Sequence, residues 1–131
     1  MSEKFSIQLM LYSNAAADTL EQFVTLQERC KVTNVIATDT AGIAAHGSNY
    51  RTISCENGAG TQVYFKWSTK TGDQGALAAA TAVNLIDPGT ATDEPEFEAG
   101  AAFKVRSASS GSGKDCQTSV TIECERLRKF S

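Results

Sequence analysis

Hydrophobic and polar positions alternate with a period of two along most of this chain. In "KFSIQLML", Phe5, Ile7, Leu9 and Leu11 alternate with Lys4, Ser6, Gln8 and Met10. An extended strand sends two such sets to opposite faces, so the segment predicts a half-buried β-strand. The stretch "NYRTISCENGAGTQVYFKWSTK" shows the pattern twice. Arg51, Ile53 and Cys55 alternate with Tyr50, Thr52 and Ser54, and Val63, Phe65 and Trp67 alternate with Gln62, Tyr64 and Lys66. Between them, "NGAG" supplies residues that tolerate positive φ, which predicts a β-hairpin with one apolar face. Near the end, Phe103 and Val105 alternate with Lys104 and Arg106, and Val120, Ile122 and Cys124 alternate with Thr121, Glu123 and Glu125.

Other segments are less regular. Residues 18–30 admit two readings. Asp18 and Glu21 have the spacing of a helix capping pair, whereas Phe23 to Leu26 is rich in strand formers and runs on toward Val32, Val35 and Ile36. Strand is favoured. "ATAVNL" predicts a short strand, and "DPGTATDEPEFEAG" collects both prolines with acid and glycine, as an exposed connection does. The loop "SSGSGKDCQ" has two glycines and a lysine but is not a phosphate loop, which requires G-x-x-x-x-G-K-[ST] between a strand and a helix. Ala108 stands five positions before Gly113, Asp115 follows Lys114, and the next residues alternate like a strand. A flexible hairpin tip is expected there.

Roughly eight short strands with turn chemistry between them, and little helix, predict an all-β fold, an antiparallel β-sandwich. The expected core is Ile7, Leu9, Val32, Ile53, Phe65, Trp67, Phe103, Val105, Val120 and Ile122. A length of 131 residues with 41% apolar positions fits one domain.

Charge narrows the list of partners. The 12 basic and 15 acidic residues, net charge −3, provide no excess that would hold a polyphosphate chain, so nucleic acid is not expected. The longest small-apolar run, Ala76 to Val83, is too short to span a bilayer, and the alternating N-terminus is unlike a signal peptide. Synthesis in a cytoplasm, with reduced thiols, follows as the expectation. Cys30, Cys55, Cys116 and Cys124 permit several pairings but form no CxxC or Cys/His cluster of the kind zinc sites use. Cys55 and Cys124 fall on apolar phases and read as small buried hydrophobes.

Catalytic chemistry is not expected. His46, the only imidazole, sits in a Gly/Ser loop without a nucleophile motif beside it. Asp93, Glu94, Glu96 and Glu98 lack the ligand spacing of a calcium loop and read as a solvated acidic connection. No cofactor, metal or small-molecule substrate is indicated.

The segments "ERCKVTNVIATDTAGIAAHGSNYRTISCENG" and "FEAGAAFKVRSASSGSGKDCQTSVTIECERL" together resemble the small jelly-roll proteins that decorate and cement the heads of tailed bacteriophages. The resemblance implies that the strand around Phe103 pairs with the last strand across the Gly/Ser loop. It also implies a structural virion protein on the outer capsid surface, binding across neighbouring major capsid subunits and self-associating as a trimer or dimer. On the same resemblance the fold is a single jelly-roll-like domain whose ends, residues 1–14 and 126–131, are expected contact arms: Met10 and Tyr12 on the outer phase of the first strand, with Arg126, Arg128, Lys129 and Phe130, are the expected partner contacts, and the alternative for the last four is a solvated basic tail. A rival class is a receptor- or carbohydrate-binding module of a phage tail or fibre, for which Tyr50 and Tyr64 are the candidate aromatic platforms.

Overall fold

The computed structural model describes residues 3–13, 18–85, 95–112 and 114–127. The described chain is all-β, with nine strands in two antiparallel sheets. They are β1 (Lys4–Ser13), β2 (Leu20–Thr25), β3 (Cys30–Asp39), β4 (Tyr50–Asn57), β5 (Val63–Ser68), β6 (Val83–Asn84), β7 (Glu96–Phe97), β8 (Ala102–Ser110) and β9 (Cys116–Arg126). One sheet, called A here, runs β1-β9-β3-β6 with β7 also on β3; the other, B, runs β2-β8-β4-β5. The pairs β1·β9, β2·β8, β3·β6 and β4·β5 are those of one long ribbon doubled back at the β4–β5 turn. Rolling that ribbon so that β3 meets β9 and β4 meets β8 closes two Greek keys. This is the jelly roll.

Residues 18–30 contain β2 and no helix. Leu20 to Thr25 pair in register with Ser107 to Ala102, and that ladder outweighs the capping signal at Asp18. Most of the expected N-terminal arm is likewise sheet, because residues 4–13 form β1. The acidic connection is not wholly solvent-facing. Glu96 and Phe97 pair with Lys31 and Cys30, and Phe97 is buried; residues 86–94 lie outside the described residues.

The Gly/Ser loop is a crossover and not a hairpin tip. β8 lies in sheet B beside β2 and β4, whereas β9 lies in sheet A between β1 and β3, so β8 does not pair with the last strand. Loop composition signals that a chain turns, but the partner of each strand is decided by burial far away in sequence. Gly111 has φ +63°, and a Cβ there would stand 2.4 Å from Asn49 Oδ1. Side-chain-free, left-handed backbone is what this close approach requires.

The inner faces of the two sheets pack as a sandwich. Val32, Ile53, Phe103, Val105, Val120 and Ile122 are fully buried as expected, while Ile7, Leu9, Phe65 and Trp67 are half-buried at its margins. Each side chain buried fully contributes about 1.5–3 kcal/mol. Two bulges correct the simple alternation. One between Val32 and Asn34 keeps both Val32 and Val35 inside. Another opposite Cys55 and Glu56 turns Tyr64 inward in place of Val63. Tyr64 then stacks with Phe103 at 6.4 Å and meets Phe97 edge-on at 5.6 Å, which joins the two sheets.

Candidate docking surface

Because Phe5, Ile7, Leu9 and Leu11 turn toward the core, β1 presents Lys4, Ser6, Gln8, Met10 and Tyr12 outward. Met10 is 49% and Tyr12 55% exposed, values that set them apart from nearly every other large apolar side chain. Their lateral neighbours are uncharged. Met10 lies opposite Ser119, which lies opposite Thr38, and Tyr12 lies opposite Gln117. Around these two residues the outer face of sheet A is a surface of hydroxyl and amide groups, whereas its other end carries the charged row Lys4, Glu125, Lys31 and Glu96, with Glu123 beside it.

Tyr12 also borders a depression of about 180 Å³ whose wall includes Asp39, Gly42, Asp115 and Gln117. The Asp39 carboxylate is buried and committed. Its Oδ2 accepts from the Gln117 N–H and Thr118 Oγ1, both at 2.9 Å, and its Oδ1 accepts from the Ala41 N–H at 3.2 Å. It joins the end of β3 to the start of β9. Gly42 has φ +81°, and a Cβ there would stand 2.9 Å from Leu77 O.

The outer face of sheet B differs. Lys104 Nζ lies 3.3 Å from Glu21 and 3.4 Å from Glu56, and Arg106 reaches Glu21 at 3.4 Å. Phe23, 60% exposed on this face, has Lys104 Nζ 5.9 Å from its ring centroid. Its exposure went unread because the strand-or-helix question left its facing open.

The expected basic contact at the chain end divides in two. Arg126 is the last residue of β9, where its guanidinium donates to Glu3 and Glu28 and lies 5.3 Å from the Phe5 ring centroid. The hydrogen bond to Glu28, followed by that to Glu3, holds its pKa above the ordinary value. It is half-exposed and tied to Glu3, just before β1, and to Glu28 in the β2–β3 loop. Arg128, Lys129 and Phe130 lie outside the described residues. Next to this cluster, Arg29 pairs with Glu96 at 3.4 Å and Glu98 at 3.2 Å, so the acidic connection is tied down by charge; Asp93 and Glu94 fall outside the described residues.

His46 shapes its loop. Its Nδ1 accepts the N–H groups of Ser48 at 3.0 Å and Asn49 at 2.8 Å, which engages that nitrogen in folding the turn. The resulting turn aims Asn49 Oδ1 at the Ser112 N–H, 2.7 Å away. Behind it, Arg51 is 0% exposed; its Nε donates to Lys114 O at 2.8 Å and an Nη to Ser107 O and Oγ at 3.1 Å. Sequence reading missed this residue as a structural centre, although its shared phase with Ile53 and Cys55 was the available signal.

All four cysteines are buried free thiols. Burial raises the pKa of Cys30, Cys55 and Cys124; Cys124 is pushed up to about 12, first by burial and then by the neighbouring Cys30. Among the described residues, no group of three or more His, Cys, Asp and Glu side chains converges as a metal site would. Of the two expected sugar platforms, Tyr64 is taken up by the Phe97–Phe103 cluster, and half-buried Tyr50 has Lys70 Nζ 5.7 Å from its ring centroid. The chain matches no protein-family model and no curated protein.

Proposed function

We propose that the protein is a capsid decoration protein of a tailed bacteriophage, made in the host cytoplasm and bound on the outer surface of the virion across neighbouring major capsid subunits. The observation that carries the reading is the exposed Met10–Tyr12 pair in the uncharged part of the outer face of sheet A, beside Gln117, Ser119 and Thr38. A surface of this kind loses little on desolvation and gains apolar contact on docking. A protein that binds the assembled lattice and not its separated subunits stabilises the lattice by mass action, and symmetry repeats each weak contact. The resemblance of the strand and turn pattern to head-cementing jelly rolls supports the same reading. Added to heads that lack it, the purified protein is expected to slow heat-induced release of DNA. Met10→Ser combined with Tyr12→Ser should weaken head binding by about tenfold or more. Equal leakage with and without the wild-type protein would overturn the proposal.

A second reading, a carbohydrate- or receptor-binding module of a tail or fibre, is favoured by one feature. Tyr12 is an exposed aromatic next to a depression walled by acid and amide groups, a common composition for gripping a sugar. Specific hits on a glycan array, lost in Tyr12→Ser, would move the assignment there.

A further inference from the structure

The geometry points to a two-fold dimer in which β1 pairs antiparallel with β1 of a second copy, centred on Gln8, so that sheet A runs unbroken through both molecules. The inference does not depend on the virion reading. It starts from the direction of the β1 main chain. Arg126 N–H donates to Glu3 O at 2.8 Å, so odd-numbered residues of β1 turn their main-chain groups toward β9. The register continues unshifted from Lys4↔Glu125 to Ser13↔Cys116. Even-numbered residues therefore turn theirs to the opposite edge, where Met10 O accepts from the Gln22 side chain at 2.8 Å. Among the described residues no strand occupies that edge.

Apart from the Gln22 side chain on Met10 O, which a second strand must displace or share, this edge lacks the features that keep edges apart. Residues 4–13 contain no proline and no bulge, and Lys4 is their only charge. Exposed, long and flat strands of this kind recruit another strand. Below the edge lies a mainly apolar groove of about 310 Å³, lined by Phe5, Ile7, Thr25 and Gln27 and bordered by the charged pair Glu28 and Arg126. Phe5 and Ile7 remain half-exposed there although they face the core side.

The occupant follows from the strand's own sequence. Antiparallel pairing requires even positions to oppose even positions, because only those face the free edge. Centring on Gln8 places Gln8 opposite Gln8, Ser6 opposite Met10, and Lys4 opposite Tyr12 of the second copy. The lone ammonium of each copy then meets a phenol ring and not its own counterpart. Odd positions bring Phe5 against Leu11 and Ile7 against Leu9, which covers the half-exposed apolar margin. The register uses every even residue of the strand, giving about ten new main-chain hydrogen bonds, two at each even–even pair. A two-fold axis through Gln8 makes the interface isologous and closed, so it stops at two copies.

The test uses the full chain, with mass measured by sedimentation equilibrium across a range of concentrations. Wild type is expected to be dimeric. Gln8→Lys and Gln8→Glu each place like charges face to face on the axis, and each alone should raise the dissociation constant about tenfold or more. Mixed together they should restore a dimer of one copy each. Gln8→Pro removes an N–H that no strand among the described residues uses, so it should keep the strand-type circular dichroism spectrum and be monomeric. A wild-type monomer at every concentration overturns the inference. So does a folded assembly whose mass none of the three substitutions changes, since its contact must lie elsewhere. Loss of the dimer with head protection intact would leave the decoration reading in place, and failure of head protection by a dimeric protein would leave this inference in place.

Discussion

Two arginines, one at each end of the sandwich, serve opposite purposes. Arg51 is fully buried at the end where the β3–β4 and β8–β9 connections meet, and its fork holds the Lys114 and Ser107 carbonyls. Arg126 is half-exposed at the end where β1 starts and β9 finishes, and its guanidinium is shared by Glu3 and Glu28. In water such pairs contribute little, because solvation and salt compete with them. In the interior, each hydrogen bond from a charged donor stands against the full cost of leaving a carbonyl unsatisfied. Depth, and not the presence of a charge, decides which arginine the fold depends on.

The sharpest way to break that comparison is to remove the buried fork. Arg51→Met keeps the length and apolar stem but leaves the Lys114 and Ser107 carbonyls without this donor. It should destabilise the protein by about 3 kcal/mol or more in urea unfolding. Arg51→Lys should recover only part of this, since an ammonium cannot reproduce two directed donors from one plane. A midpoint within experimental scatter of wild type would show that the crossover is held without Arg51.

Both arginines also mark where the sequence is legible. Alternation identifies β1, β4, β8 and β9 because each half-buried strand writes its two faces into the residue order. Arg51 is written on the inward phase, but guanidinium is so seldom buried that its chemistry contradicts its position. Leu26, Ile43 and Leu77 seal the core from connecting segments, where one apolar residue has no period to betray it. The assignment of β8 and β9 to different sheets is a non-local outcome, and a Gly/Ser loop reads the same whether it closes a hairpin or crosses a sandwich. At the candidate site, Met10 and Tyr12 were legible from phase alone, whereas the Asp39 staple joins residues 78 apart in sequence and leaves no local trace.

Cys124 sharpens the comparison by separating depth from location. It lies two residues from Arg126, at the same end of the molecule, yet is 1% exposed. Its thiol value is raised from 9.0 to about 12, chiefly by burial. Below pH 9 the folded and unfolded chains both hold this proton and the stability is fully present. Between pH 9 and about 12 the unfolded chain releases it first, so stability falls with rising pH, by about 1.4 kcal/mol per pH unit from this thiol. Cys124→Ala should start from a lower stability and show a shallower alkaline decline in urea midpoints taken from neutral pH upward. An alkaline slope identical to that of wild type would remove Cys124 as its source.

The smallest effect belongs to Arg126. Its partners Glu3 and Glu28 are about half-exposed, so water replaces whatever the guanidinium gives up. Arg126→Gln should shift the urea midpoint far less than Arg51→Met, and the shift should shrink further as salt is raised toward about 0.5 M, where the screening length falls below the span of the cluster. The cation also covers the Phe5 ring, a contact that salt screens less well than the ion pairs. Phe5→Leu in both the wild-type and Arg126→Gln backgrounds isolates that contribution as a double-mutant cycle. A salt-independent loss comparable with that of Arg51→Met would mean that the terminal cluster is a second structural centre, and that surface exposure does not distinguish the two arginines.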